Sequence, residues 1–102
     1  MGVTIKPALI DHIIKDMSDK FDHAFVNLDG KMERYPIHNT SISGQTVRKY
    51  VFVQDSDAIG KTILGASLKD KDGNELVSQS MKISKSNKGF LISFELEVKV
   101  NV

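Results

Sequence analysis

The chain has 102 residues, of which 40% are hydrophobic and 26% charged, a composition typical of one soluble globular domain. Its 14 basic and 13 acidic residues give a formal net charge of +1, which excludes the basic excess of most nucleic-acid-binding proteins. The chain contains no cysteine, so disulfides and thiolate metal sites are excluded. No stretch has the length of a membrane span. We expect a single domain over residues 1–102, without nucleic-acid or membrane partners.

The first predicted element is an amphipathic helix over residues 7–21. Pro7 suits the first turn of a helix, because the N–H group that proline lacks would have no partner there. Apolar residues recur after it at helical spacing, with charged residues between them. This apolar stripe can pack on the chain's own sheet or on a partner chain, and both possibilities remain open. The stripe consists of Leu9, Ile10, Ile13, Ile14, Met17 and Phe21.

Short strands are predicted to follow, because several segments are rich in β-branched and aromatic residues or alternate in polarity. Turn-forming residues separate the segments at residues 55–57, 84–89 and, most clearly, 70–74, where Gly73 can take a positive φ. Connections this short favour antiparallel pairing. The predicted strands cover residues 23–28, 47–53, 61–68 and 75–83.

Alternation within two of these strands predicts which side chains reach the core. In the second strand, Tyr50 and Phe52 share a face opposite Lys49, and we expect the aromatic face to be buried. In the third strand, the predicted core face consists of Leu64, Ala66 and Leu68.

Residues 31–46 are polar and contain Pro36 and Gly44, so they are predicted to form a long irregular loop. A loop of this length in a small domain often forms a binding surface. Tyr35, Ile37 and His38 are its candidate contact residues, with ordinary solvent exposure as the alternative.

The C-terminal segment 90–102 predicts one long half-buried strand, because its even-numbered residues are apolar and most odd-numbered ones are polar. Together with the preceding elements it favours a mainly β protein. The expected fold is an antiparallel β-sandwich over residues 23–102, immunoglobulin-like, with one N-terminal amphipathic α-helix. The apolar positions of this strand are Phe90, Ile92, Phe94, Leu96, Val98, Val100 and Val102.

The motifs that resemble catalytic or ligand-binding signatures are incomplete. Residues 60–62 read Gly-Lys-Thr, but Asp55 stands where a phosphate-binding loop needs its first glycine. The acidic segment 70–75 has its glycine at the fourth position, whereas a calcium loop requires one at the sixth. Ser67 lacks the flanking glycines of a nucleophile elbow. We therefore expect neither enzymatic activity nor a metal or cofactor. No metal-ligand spacing relates the histidines, which are His12, His23 and His38.

The order of elements resembles a domain near the N-termini of bacteriophage tail-collar, tail-fibre and baseplate proteins. In that family a "v-a-l-G-d-G" element, a "t-s-l-g…e-v-r-k" stretch, a "d-a-d-G-n-l" hairpin and an "i-x-K-s" turn follow a helix. The matching segments here are 24–30, 40–44 with 47–49, 67–76 and 83–86.

The resemblance implies a structural component of a phage tail or baseplate, present in the virion tail and assembled in the bacterial host cytoplasm. Its implied partners are other tail or baseplate proteins and further copies of itself, as a trimer or hexamer. We expect the assembly contacts at Leu9, Ile10, Ile13, Ile14, Met17, Tyr35, Ile37 and His38.

The alternative function is a small carbohydrate- or protein-binding β-sandwich module. Such modules usually expose aromatic rings that stack on sugar faces. The chain has no tryptophan, and of its two tyrosines only Tyr35 is expected to be exposed, which weighs against sugar binding.

Overall fold

A computed structural model describes residues 2–54, 60–84 and 89–99 of the chain. In this part of the chain a helix, α1 (Pro7–Lys20), precedes the strands. The strands are β1 (His23–Leu28), β2 (Lys31–Pro36), β3 (Asn39–Ser43), β4 (Thr46–Val53), β5 (Thr62–Lys69), β6 (Glu75–Ser84) and β7 (Phe90–Glu97).

The strands form a four-stranded sheet in the order β2-β1-β5-β6 and a three-stranded sheet in the order β3-β4-β7. Every described strand pair is antiparallel. The core lies between the sheets, because buried side chains of β1 and β5 pack with those of β4 and β7. The predicted antiparallel β-sandwich with an N-terminal helix is therefore confirmed. The core residues are Ala24, Val26, Leu28, Tyr35, Val51, Val53, Ile63, Ala66, Leu68, Ile92 and Phe94.

The division of strands between the sheets differs from that of an immunoglobulin constant domain. There the fourth strand belongs to the four-stranded sheet and the sixth to the three-stranded sheet. Here β4 lies in the three-stranded sheet and β6 in the four-stranded one. The immunoglobulin-like part of the expectation is thus not confirmed.

Helix α1 begins at the predicted residue and ends one residue before the predicted end. Pro7 is its first residue, and no side chain caps its N-terminus. Phe21 is the C-cap residue, with extended backbone and an N–H that donates to the carbonyl of Ser18.

The prediction of an irregular loop over residues 31–46 was wrong, because this segment contains β2 and β3. Nearly all of their residues are exposed, with Tyr35 the one buried residue, so they show little of the apolar alternation that reveals half-buried strands. Pro36 ends β2, and Gly44, with a φ of 57°, lies in the turn between β3 and β4. The two residues that suggested a loop thus mark the end of a strand and a tight turn.

The predicted faces of β4 were also wrong. Val47, Lys49, Val51 and Val53 point inward and are buried, whereas Phe52 is 39% exposed on the outer face. The inward valines pack in the core and in the space beneath α1. Burial of these valines therefore outweighs burial of the larger aromatic rings.

A β-bulge alters the predicted face of β5. Leu28 of β1 pairs with Ile63, and the preceding residue of β1 pairs with Gly65, so Leu64 is an extra residue. The extra residue shifts the alternation, and Ile63 is fully buried while Leu64 is 38% exposed. The rest of the predicted face is buried, as expected: Ala66 and Leu68.

The last strand is shorter than predicted. Strand β7 ends at Glu97, which pairs with Thr46, the first residue of β4. Beyond that point the neighbour offers the carbonyl of Gln45, which accepts a hydrogen bond from the N–H of Val98 at 2.8 Å. The prediction for residues 100–102 lies outside the described residues, and so do the turn predictions at residues 55–57 and 84–89 in large part.

The hairpin predicted at residues 70–74 is confirmed between β5 and β6. The carboxylate of Asp70 accepts hydrogen bonds from the backbone N–H groups of Asp72 and Asn74, both at 2.9 Å. Its hydrogen bonds, first among them that from the Asn74 side chain, lower the pKa of Asp70. Gly73 takes a φ of 86°, as the turn requires.

Adjacent residues of β7 provide a matched test of the sandwich, because Ile92 is 2% exposed and Leu91 is 51% exposed. Ile92→Ala should lower the free energy of unfolding by about 3 kcal/mol, since it removes buried methylene groups and leaves a cavity. Leu91→Ala should change it by less than about 1 kcal/mol. Chemical denaturation followed by circular dichroism measures both, and equal losses would contradict this placement of the core.

Candidate assembly interface

Helix α1 packs against the inner face of the three-stranded sheet through a narrow part of its surface. Within α1 the buried residues are Ile14, 2% exposed, and Ser18, 4% exposed. A cleft of about 440 Å³ runs between these residues and the inward-facing Thr40, Ile42 and Lys49 of β3 and β4. The helix therefore covers only part of the sheet, and the sheet covers only part of the helix.

The remaining apolar residues of α1 form a row beside its buried edge. Leu9, Ile13 and Met17 are spaced four residues apart, so they lie one above another along the helix. Leu9 is 52% exposed and Ile13 44% exposed, while Met17 and Ile10 are half-buried. We name Leu9, Ile13 and Met17 the helix row. Its apolar surface extends beyond what the chain's own sheet covers.

The helix residues predicted from the sequence thus divide into those that pack on the chain's own sheet and those left free for a partner chain. Ile14 packs on the chain's own sheet, and Leu9 and Ile13 face outward. Ile10 and Met17 lie between these extremes.

The three predicted loop residues do not form one surface. Tyr35 is 8% exposed in the core, because it pairs with Ala24 on the inward side of β2. Ile37 is half-buried against the same core. His38 is exposed, and its ring lies 5.8 Å from that of Phe52 on the outer side of the sheet. The expectation that Tyr35 is the exposed tyrosine was wrong.

Lys49 is a buried cation in the cleft beneath α1. Its Nζ atom donates a hydrogen bond to Oγ1 of Thr40 at 3.0 Å and lies 5.8 Å from the centre of the Phe21 ring. Burial lowers the pKa of Lys49, and the carboxylate of Asp19 opposes this shift. A charged group in this position weakens the packing of the helix on the sheet.

The described residues contain no cluster of three side chains suited to bind a metal ion. The nearest approach to a catalytic arrangement is the pair of His23 and Asp22, whose Nδ1 and Oδ2 atoms lie 2.8 Å apart. His23 is buried, and its ring packs edge-on against Phe25. The hydrogen bond to Asp22 and the contact with Phe25 hold the His23 ring in place.

Comparison of the chain with protein-family models, with curated proteins and with solved structures found no match. Among the described residues no helix is both long and apolar enough to cross a membrane.

Sequence reasoning missed the outward aromatic face of β4. The segment 47–53 carries valine at three positions of one parity, and the other parity begins with the charged Arg48. Counting the valines favours the observed face, whereas side-chain size favours the predicted one. The exposed Phe52 and half-buried Tyr50 consequently lie on the outside of the sandwich.

Replacement of Lys49 tests the cost of its burial. Lys49→Met should raise the free energy of unfolding at pH 7 by about 1 kcal/mol, because a side chain of similar length replaces a buried charge. The folded protein holds the lysine pKa below its ordinary value of 10.5, so the unfolded chain binds more protons and wild-type stability rises with pH in that window. The gain should therefore shrink as the pH rises through the lowered pKa towards 10.5.

Urea denaturation at several pH values measures this gain. Lys15→Met is the matched control, since Lys15 lines the same cleft but is exposed, and it should change stability by less than about 0.5 kcal/mol. A loss of stability in Lys49→Met at pH 7 would mean that the hydrogen bond to Thr40 outweighs the cost of burial.

Proposed function

We propose that the chain is a structural assembly module, which joins copies of itself into a trimer or hexamer through α1. The observation that carries the proposal is the helix row, which the chain's own sheet leaves uncovered. Complete burial of a leucine or isoleucine side chain contributes about 1.5–3 kcal/mol. Since Leu9 and Ile13 are about half exposed, each has roughly 1 kcal/mol left to gain against a neighbour.

The shape of the protein supports an assembled state. It measures 60 × 25 × 19 Å with a radius of gyration of 16.1 Å, whereas a compact domain of about 100 residues has a radius near 13 Å. An elongated chain buries less of its surface internally and presents more surface to neighbours. Such modules suit symmetric rings, where the same contact is repeated between subunits.

The finer proposal is that the assembly is a phage tail or baseplate. The sequence resemblance supports it, since the matched segments 24–30, 40–44 and 67–76 fall on β1, β3 and the β5–β6 hairpin with their turns. The partners are then other tail or baseplate proteins, and the chain belongs to the virion tail.

Substitution of the helix row tests the self-association. We expect the wild-type protein to form a trimer or hexamer, measured by light scattering after size exclusion over a range of concentrations. Leu9→Gln with Ile13→Gln should shift the mass to the monomer, because two polar side chains would be buried without partners. Circular dichroism should show an unchanged fold, since both residues are about half exposed.

The matched control is Ala8→Gln with His12→Gln, which places the same two residues at the same spacing on another exposed strip of α1, about 100° around the helix from Leu9 and Ile13. This variant should keep the wild-type mass. A wild-type monomer at every concentration, or an unchanged mass in the first variant, would contradict self-association through α1.

Phage particles provide the test of the finer proposal. Mass spectrometry of particles purified from the native bacterial host should detect this chain in a stoichiometric ratio to the major tail proteins. Immunogold electron microscopy should place the label on the tail. Particles that lack the chain while the host cells contain it would rule out a virion component and leave the self-associating module intact.

A further inference from the structure

The outer face of the three-stranded sheet carries a shallow cleft of about 330 Å³ that no part of the proposed assembly uses. It lies on the side of the sheet opposite α1. Its floor is formed across all three strands, since Tyr50 of β4 pairs with Asn39 of β3 and with Ser93 of β7. The residues that line it are His38, Asn39, Ser41, Tyr50 and Leu91.

The apolar residues of this face are contiguous. Leu91 is 51% exposed and lies directly opposite Phe52, which is 39% exposed. The ring of His38 lies 5.8 Å from that of Phe52 with an angle of 40° between the planes. Single exposed apolar side chains are ordinary, but rings and a leucine that adjoin one another form a platform for a flat apolar surface.

Gly89 lies against the ring of Phe52. A Cβ atom on Gly89 would lie 2.4 Å from the Cζ atom of Phe52, so a side chain at position 89 would have to displace the ring.

The polar groups of the described cleft residues are one imidazole, one amide and two hydroxyls. The Asn39 side-chain oxygen accepts a hydrogen bond from the N–H of Thr40 at 2.8 Å, which orients the amide and leaves its NH₂ group to donate. The hydroxyls of Ser41 and Tyr50 have no protein partner among the described residues. On the same face, Arg48 is paired with Glu95 at 3.2 Å.

We propose that this cleft binds a neutral saccharide. Sugar rings present an apolar C–H face that stacks on aromatic side chains and hydroxyls that pair with amides and hydroxyl groups. Among the described residues the lining contains no Lys, Arg, Asp or Glu, so none of them offers the fixed charge that an acidic or basic ligand would need. Tyr50 and Phe52 lie on the outer face, so this face carries two aromatic rings although the chain has no tryptophan.

A glycan array identifies the sugar, and isothermal titration calorimetry measures its affinity. Tyr50→Ala should weaken binding about tenfold, because a stacking contact is lost, and Asn39→Ala should weaken it about fivefold. Arg48→Ala is the control, since Arg48 lies on the same face two residues before Tyr50 but outside the cleft. This control should stay within about twofold of the wild type.

Three results would overturn the proposal. The first is the absence of any neutral glycan that binds at millimolar concentration. The second is binding that neither cleft variant changes, which would place the sugar elsewhere. The third is a change of solution mass in Tyr50→Ala without sugar binding by the wild type, which would identify this face as a protein contact. The first two results do not bear on the helix row, whose variants test the proposed assembly separately.

Discussion

The register between β4 and β7 determines which side chains of the three-stranded sheet are buried and which are displayed. All eight residues of β4 pair with β7, with Val51 opposite Ile92 inside the sandwich and Phe52 opposite Leu91 outside it. A slip of one residue would exchange these sets. The core, the surface under α1 and the outer cleft therefore depend on one pattern of backbone hydrogen bonds, and selection for the core also fixes the geometry of the cleft.

How well the sequence predicts each strand and its buried face depends on where that strand lies in the sandwich. Strand β7 pairs on one side and faces the core on one face, so its alternation is complete and its prediction was confirmed over Phe90–Glu97. Strands β2 and β3 are exposed along almost their whole length, and β3 has no buried residue, so polarity alone could not distinguish them from a loop. The face of β4 was mistaken because both of its faces are apolar enough to be buried. The outer cleft was missed with it, since that cleft exists only on the face expected to be inside.

The partial cover of α1 has a physical cause in the sheet beneath it. Lys49 occupies the inward position where a further apolar residue would extend the groove, and its burial lowers its pKa at a cost in free energy. Ile14 and Ser18 fit the space that remains. The helix is therefore held along one edge only, and Leu9 and Ile13 remain outside. A lysine that limits intramolecular packing in this way leaves the helix surface that the assembly proposal requires.

The helix row and the outer cleft lie on opposite sides of the same sheet. Assembly through one surface can therefore affect binding at the other. A neighbour held by α1 approaches the inner side, where Thr40 and Lys49 lie, and leaves the outer cleft around Tyr50 open. A shallow cleft with one or two stacking contacts binds a single sugar weakly. A trimer or hexamer presents three or six such clefts in fixed positions, and simultaneous engagement raises the overall affinity by orders of magnitude without any new contact. Self-association through the helix row would thus convert a weak saccharide site into an effective one on a surface that carries repeated sugars.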